Sequence, residues 1–226
     1  MDRKIALARL ASLAVGSLAL SLAAHSEPVR PFEGDVMTLN PASVRLAPAQ
    51  RALEVIEFWE KAGPALWFAK DADFDKRFRE RFIADHEAAA RGELMHWQST
   101  AEGAFALVLL LDQFPRNAFR GTARMYDTDA MARKVASTAF AAGYDRLMPV
   151  ELQKFFVLPL AHSEDLADQE RAVALARRIS PDDLAHAEHH RDIVRRFGRF
   201  PHRNAILNRE STREEVSYLE NGGYQG

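Results

Sequence analysis

Two short segments of the chain repeat one arrangement of polar side chains around an aromatic–proline step. Residues 112–117 read Asp-Gln-Phe-Pro-Arg-Asn, and residues 200–204 read Phe-Pro-His-Arg-Asn. Proline lacks an N–H and disfavours helix at the residue before it, so each step is expected to end a helix. Arginine offers fixed N–H donors that hold a carboxylate or phosphate through two parallel hydrogen bonds. If the turns meet in the fold, they predict a pocket for a small anionic or zwitterionic molecule or an acidic chain end. The predicted ligand-binding residues are Asp112, Gln113, Arg116, Asn117, Arg203 and Asn204.

A third polar segment could supply acid–base catalysis. Residues 162–165 read His-Ser-Glu-Asp at a predicted helix boundary. An imidazole beside a carboxylate can exchange protons near neutral pH. In this alternative the protein is an enzyme whose candidate catalytic residues are His162, Glu164 and His202. Residue types alone do not decide between binding and catalysis.

The same polar residues could instead serve the fold alone. Arg116 and Arg203 could each pair with a nearby carboxylate and satisfy carbonyl groups at helix ends. Closed ion pairs of this kind would leave no open cavity. The protein would then be a helical scaffold for protein–protein interaction, without a ligand pocket.

Three histidines form a weaker candidate for a metal site. His186, His189 and His190 lie three and four residues apart on one predicted helix, and two such imidazoles could share a metal ion. The string does not match the zinc-protease helix motif, in which glutamate directly follows the first histidine. We therefore favour a solvated polar face and predict no metal and no cofactor.

A row of arginines resembles a strip for nucleic-acid binding. Nearby acidic residues and a net charge of −2 favour salt-bridged surface instead, so we predict no nucleic-acid partner. The arginines recur every four residues at Arg191, Arg195, Arg199 and Arg203.

The composition limits the class of protein. The 226-residue chain is 47% hydrophobic and 27% charged, with both signs of charge interspersed. These proportions are typical of a soluble globular domain. The chain contains no cysteine, which excludes disulfides and thiol nucleophiles.

The N-terminal residues 1–26 differ from the rest of the chain. Basic residues precede an uncharged run over 10–24, which is shorter than the ~20 residues of a membrane-spanning helix. This pattern predicts a signal peptide, with an uncleaved membrane anchor, a mitochondrial presequence or a misassigned start as alternatives. We expect an exported or periplasmic protein if the leader functions and a cytoplasmic one otherwise, with membrane contact only if the leader is retained. Residues 27–48 carry four prolines and predict a linker.

Beyond the linker, apolar residues recur at helical spacing and period-two alternation is scarce. The segment 103–111 is apolar on every side and should lie in the centre of the fold. We predict one all-α domain over 49–220, built from seven to eight helices in antiparallel pairs as a right-handed tetratricopeptide-like array, with a flexible tail over 221–226. The predicted helices are 48–63, 73–91, 99–111, 127–143, 150–160, 163–178, 181–198 and 211–220.

Several longer stretches carry a recognisable pattern. They are 67–70 (Trp-Phe-Ala-Lys), 109–117 (Leu-Leu-Leu-Asp-Gln-Phe-Pro-Arg-Asn), 119–121 (Phe-Arg-Gly), 158–160 (Leu-Pro-Leu), 162–170, 197–204 and 209–212. Between Phe58 and Leu219 the chain closely resembles a bacterial family known as domain of unknown function 924. The resemblance implies an all-helical, tetratricopeptide-like fold and supplies no reaction. The leader departs from the family's pattern, as does Asn208, where glycine is expected.

Overall fold

The computed structural model describes residues 48–226, with side chains from residue 50 onward. The predicted leader over 1–26 and the predicted linker up to residue 47 lie outside the described residues. Within 48–226 the chain is helical and contains no strand, which confirms the all-α class. No helix in this range is long and apolar enough to cross a bilayer.

Each of the eight predicted helices has a counterpart in the described chain. The described chain also contains two short helical segments that were not predicted, Pro64–Trp67 and Phe114–Ala118. Each counterpart has eight residues or more. In chain order, the α-helical segments are α1 (Pro48–Ala62), α2 (Pro64–Trp67), α3 (Ala72–Ala90), α4 (Ala101–Val108), α5 (Phe114–Ala118), α6 (Asp129–Ala142), α7 (Val150–Ala161), α8 (Leu166–Ala176), α9 (Pro181–Phe197) and α10 (Arg213–Glu220).

The segment from α4 to α5 lies in the centre of the domain. Every residue from Gly103 to Pro115 is buried, and α1, α6 and α7 pack around α4. A helix that is apolar on all sides removes most surface from water when other helices surround it. The sequence prediction of a central helix is therefore confirmed.

The first Phe-Pro step does not end a helix, so that prediction is wrong. Between α4 and α5, residues Leu109–Gln113 form one π-helical turn, and the chain remains helical to Ala118. The N–H of Phe114 donates to the carbonyl of Leu109, five residues back. The wider winding accommodates Pro115, which has no N–H to donate, without breaking the helix.

Side chains satisfy the carbonyl groups at this irregular turn. Three consecutive carbonyls accept side-chain hydrogen bonds: Leu110 from His86 Nδ1 (2.8 Å), Leu111 from Thr128 Oγ1 (2.6 Å) and Asp112 from Arg116 Nη1 (2.7 Å). A buried carbonyl without a partner is costly, so these bonds stabilise the irregular winding. They also tie the turn to α3 and to the residue before α6.

The second Phe-Pro step follows the end of a helix, as predicted. α9 ends at Phe197, and Gly198 adopts a φ of 70°, a left-handed conformation that glycine takes without strain. Residues Pro201–Arg203 then form a short 3-10 turn. Proline is compatible with the first position of such a turn because no N–H is required there.

The tail over 221–226, which we expected to be flexible, folds back onto the domain. The N–H of Tyr224 donates to the phenol oxygen of Tyr218 at 3.0 Å. The Tyr224 ring lies 4.8 Å from the ring of His190 and 5.0 Å from that of His202, measured between centroids. Aromatic packing places this segment beside the second Phe-Pro turn, which its small and polar residues did not indicate.

Replacing Thr128 by valine should destabilise the domain. The change leaves the buried carbonyl of Leu111 without its side-chain donor, at a cost of about 1–3 kcal/mol in the free energy of unfolding. Urea denaturation would measure the loss. Thr138→Val is the matched control, because that exposed hydroxyl bonds only to the carbonyl of Lys134 in its own helix, and its effect should stay within about 0.5 kcal/mol. Equal stability of the two variants would contradict the role given to Thr128.

Candidate functional site

The two Phe-Pro turns meet at one carboxylate. Arg116 donates from Nη1 and Nη2 to both oxygens of Asp129, at 2.9 and 3.1 Å. Arg203 Nη1 lies 3.8 Å from Asp129 Oδ2. Asp129 is the first residue of α6, where the positive end of the helix also favours a negative charge. Arginines from both turns therefore share one acidic partner.

Asp112 lies behind these arginines and is fully buried. Its Oδ1 accepts from His162 Nδ1 at 2.8 Å and lies 3.1 Å from Arg116 Nη1, and its Oδ2 accepts from Gln113 Nε2 at 2.6 Å. Burial alone would raise the pKa of Asp112, but the charge of Arg116 and the contact with His162 outweigh it and lower the pKa to about 2. The carboxylate is ionised at neutral pH and only accepts hydrogen bonds, so His162 carries its proton on Nδ1.

Arg203 is a buried cation with few partners. Its residue surface is 7% exposed, and its Cζ lies 4.6 Å from the ring centroid of Tyr126 and 4.5 Å from that of Phe200. Nη2 donates to the carbonyl of His162 at 3.0 Å. Within the described chain, Nη1 makes no hydrogen bond, and the buried Nε has no partner. Burial, assisted by the charge of Arg116, lowers the pKa of Arg203.

A cavity of about 560 Å³ opens beside these residues. Its volume falls within the roughly 300–1,000 Å³ of small-molecule sites. We call it the arginine–imidazole cavity. Its lining includes the cations Lys70, Arg116, Arg120, Lys154 and Arg203, the imidazoles of His162, His186, His190 and His202, the rings of Trp67, Phe68, Tyr126 and Tyr224, the amides Gln113 and Asn117, and the acids Asp182 and Asp183.

The buried imidazoles of the cavity are neutral at pH 7. Burial is the main cause that lowers the pKa of His190 to about 2 and that of His202 to about 4. Burial and the charge of Arg116 also lower the pKa of His162, although Asp112 acts in the opposite direction. The positive charge at the cavity wall therefore comes from arginine and lysine rather than from histidine.

Most of the predicted site residues reach this cavity. Gln113, Arg116, Asn117, His202 and Arg203 line it together with His162, whereas Asp112 lies behind His162. A second cavity of about 420 Å³ shares the side chains of Tyr126, His162 and Arg203 with the first, and Glu164 also lines it.

Glu164 and Asn204 have structural contacts instead. Glu164 forms a two-point ion pair with Arg209, at 2.6 and 2.9 Å, and accepts from the N–H of Phe200 at 2.8 Å. The amide of Asn204 donates to Ser211 and accepts from Arg209. No hydrogen bond within the described chain joins Glu164 to a histidine, so the expectation that it partners His162 or His202 is corrected: Asp112 holds His162.

Sequence reasoning missed several residues of the cavity region. Asp129 carried only the ordinary signal of an acid in the first turn of a helix, and Tyr224 lay in a tail expected to be flexible. His190, interpreted as part of a solvated face, is 1% exposed, whereas His186 and His189 are exposed. Within residues 48–226, no three metal-ligating side chains cluster as a metal site would require.

The stability of the domain should fall as the pH is lowered from 7 to 5. His202 has a pKa of about 4 in the folded state, against an unperturbed value of about 6.5, so the unfolded chain binds more protons between these values. Urea denaturation of His202→Asn at both pH values should show a loss that is ~1–2 kcal/mol smaller than that of the wild type. His96→Asn removes an exposed histidine and serves as the control, with an unchanged pH dependence. If the free energy of unfolding changes with pH equally in His202→Asn and His96→Asn, His202 is not neutral in the folded state as proposed.

Comparison with known proteins places the chain among proteins without an established activity. A solved structure of a protein of unknown function from Agrobacterium tumefaciens, ATU0120, is 55% identical, with a TM-score of 0.77; the match covers 78% of this chain and all of that one. A search of curated proteins found no match. The model of a family described as bacterial protein of unknown function (DUF924) matches residues 55–223. The chain therefore belongs to the DUF924 family.

Proposed function

We propose that the protein binds a small anionic or zwitterionic ligand in the arginine–imidazole cavity, with a carboxylate or phosphate of the ligand held by Arg203. The observation that carries this proposal is the buried guanidinium of Arg203, whose Nη1 and Nε have no acceptor in the described chain. A buried charge is costly unless it is paired and hydrogen-bonded. An anion in the cavity would supply an acceptor for Nη1, which, unlike Nε, is not among the buried atoms.

Asp129 pairs with Arg203 in charge but does not hydrogen-bond to it. Both oxygens of Asp129 accept hydrogen bonds from Arg116, and the distance of 3.8 Å from Arg203 Nη1 is too long for one. Glu164, the other carboxylate whose charge acts on Arg203, is held by Arg209 and by the N–H of Phe200. Arg203 therefore has a partner for its charge in Asp129, but its Nη1 keeps hydrogen-bond donors that a ligand could use.

The other walls of the cavity favour a ligand with more than an anionic group. Phe68 is 60% exposed and, with the ring of Tyr224 and the neutral imidazole of His190, offers flat apolar surface. Asp182, in the first turn of α9, gives the same cavity an acidic side chain. A zwitterion could place its carboxylate at Arg203 and its ammonium group near Asp182.

The interaction scaffold without a pocket is the weaker proposal, because contacts within the chain satisfy Glu164 and Asn204 but leave Arg203 Nη1 and Nε without a hydrogen-bond acceptor in the described chain. We retain the tetratricopeptide-like array as a proposal for the helix arrangement, since α7 packs on α8 and α8 on α9. An exported location is likewise proposed from the leader alone.

Binding should depend on negative charge and on Arg203. Isothermal titration calorimetry would compare three four-carbon compounds: succinate, neutral succinamide and the dication of 1,4-diaminobutane. We expect succinate to bind most tightly. Arg203→Ala should weaken it about 10–100-fold, the range for hydrogen bonds to a charged group. The affinity of Arg203→Lys for succinate should lie between those of the wild type and Arg203→Ala, because lysine keeps the positive charge but lacks the planar guanidinium fork.

Arg195→Ala is the matched control, since Arg195 is an exposed arginine paired with Glu170 on the surface. Its affinity for succinate should equal that of the wild type. Phosphate and glutamate would extend the series to other anions. If none of the three anions binds more tightly than succinamide, or if Arg203→Ala binds like Arg195→Ala, the proposed function is wrong.

A further inference from the structure

In the pair formed by Asp112 and His162, one ring nitrogen of the histidine is hydrogen-bonded to the carboxylate and the other is not hydrogen-bonded within the described chain. Asp112 is fully buried, and its Oδ1 holds His162 Nδ1 at 2.8 Å. The opposite ring nitrogen, Nε2, makes no hydrogen bond within the described chain, and the ring lines the arginine–imidazole cavity. The Nε2 atom is not among the buried polar atoms without a partner, so it is open to solvent or to a ligand in the cavity. Here the carboxylate fixes the tautomer and leaves the Nε2 lone pair free.

The free nitrogen lies next to the proposed anion site. Arg203 Nη2 donates to the carbonyl of His162 itself, at 3.0 Å, so the guanidinium and the imidazole are held as neighbours on one wall. Because burial and Arg116 lower the pKa of His162, its ring is neutral and able to accept a proton at pH 7. A group that binds an anion and a group that accepts a proton therefore face the same ligand.

We assign the role of nucleophile to water. Among the described residues that line the cavity, none is serine, threonine or cysteine. Its phenols belong to Tyr126 and Tyr224, and burial raises the pKa of both, which makes them poor nucleophiles. Ser163 lines the second cavity, and its hydroxyl donates to Asp168 at 2.7 Å.

We propose that the arginine–imidazole cavity is the active site of a hydrolase that cleaves an ester or amide bond in a small anionic substrate. His162 is the catalytic base, and Asp112 is the positioning residue that holds its ring. The proposal rests on the proposed function, because Arg203 must hold the charged group of the substrate.

The reaction is balanced with water as the co-reactant. His162 Nε2 takes a proton from water, and the water oxygen bonds to the carbonyl carbon while the carbonyl oxygen becomes an oxyanion. When this intermediate collapses, the bond to the leaving oxygen or nitrogen breaks, and the leaving atom takes the proton from Nε2. The products are a carboxylic acid and an alcohol or amine, and nothing is oxidised or reduced. A positioned general base of this kind contributes about 10²–10⁴-fold to the rate.

The test measures protein-dependent hydrolysis of mono(4-nitrophenyl) succinate and of its neutral analogue 4-nitrophenyl butyrate by the absorbance of released 4-nitrophenolate. The spontaneous rate without protein is subtracted, because the free carboxylate of the succinate ester attacks its own ester bond. The wild type should hydrolyse the succinate ester with the higher kcat/KM. His162→Gln should lower kcat by about 10²–10⁴-fold and leave succinate affinity unchanged by calorimetry. Arg203→Ala should mainly raise KM. His96→Gln removes an exposed histidine that does not line the cavity and should leave both rates unchanged.

Asp112→Asn provides the readout specific to positioning. The Asp112 charge raises the pKa of His162, so its loss should lower kcat and move the acidic limb of the kcat/KM profile to lower pH. Circular dichroism would establish that each variant folds. If the buried Asp112→Asn substitution prevents folding, His162→Asn replaces it as the second variant, with the same expected loss in kcat.

The outcomes separate this proposal from the anion site. Hydrolysis of the succinate ester at the same rate by wild type and His162→Gln, or no hydrolysis by the wild type, overturns the catalytic proposal while succinate binding can still stand. Equal kcat/KM for the succinate and butyrate esters overturns the anionic substrate class. Absence of succinate binding in the calorimetry would overturn the proposed function itself.

Discussion

The pairing of Arg116 with Asp112 and Asp129 is the interaction on which the polar interior depends. Asp112 belongs to the π-helical turn and Asp129 begins α6, so one guanidinium joins the central helix to its neighbour. Removing one partner of a buried ion pair typically costs about 3–5 kcal/mol, because the remaining charge stays buried. The same contacts orient Asp112 towards His162 and occupy Asp129, which leaves Arg203 without a full partner.

The polar residues around the two turns form two groups. The members of one hydrogen-bond to each other, and the members of the other keep nitrogen atoms without a hydrogen-bond partner in the described chain. Glu164, Arg209 and Asn204 satisfy one another and fix the loop after the second turn. His162 and Arg203 instead present unpaired nitrogen atoms beside a cavity large enough for a small molecule. The structural interpretation therefore fits the first group, and the ligand-binding interpretation fits the second. This division explains how a fully packed helical domain can keep an open polar site in its interior.

Much of the fold could be predicted from the sequence, because apolar spacing and helix-stop residues are local signals. The central position of α4 followed from its apolar surface, and the end of α9 followed from Gly198. The π-helical turn could not be predicted, since it depends on carbonyl acceptors being met by His86 and Thr128 from other elements.

The candidate site could be predicted only in part, for a similar reason. The repeated Phe-Pro motif pointed to Arg116 and Arg203, and the separate segment 162–165 pointed to His162; all three line one cavity. The choice of Asp112 over Glu164 as the partner of His162 depends on which carboxylate the fold brings within hydrogen-bond distance. Sequence proximity favoured Glu164, which lies two positions away, whereas tertiary packing placed Asp112 against the ring. Asp129 and Tyr224 carried no local signal that distinguished them from a helix-capping acid and a terminal aromatic residue.

A crystal structure of the protein with succinate would test the central claim most directly. The account predicts a succinate carboxylate oxygen within about 3 Å of Arg203 Nη1, in the cavity lined by His162. A carboxylate bound elsewhere, with Arg203 Nη1 hydrogen-bonded to an acceptor from the protein itself, would contradict it.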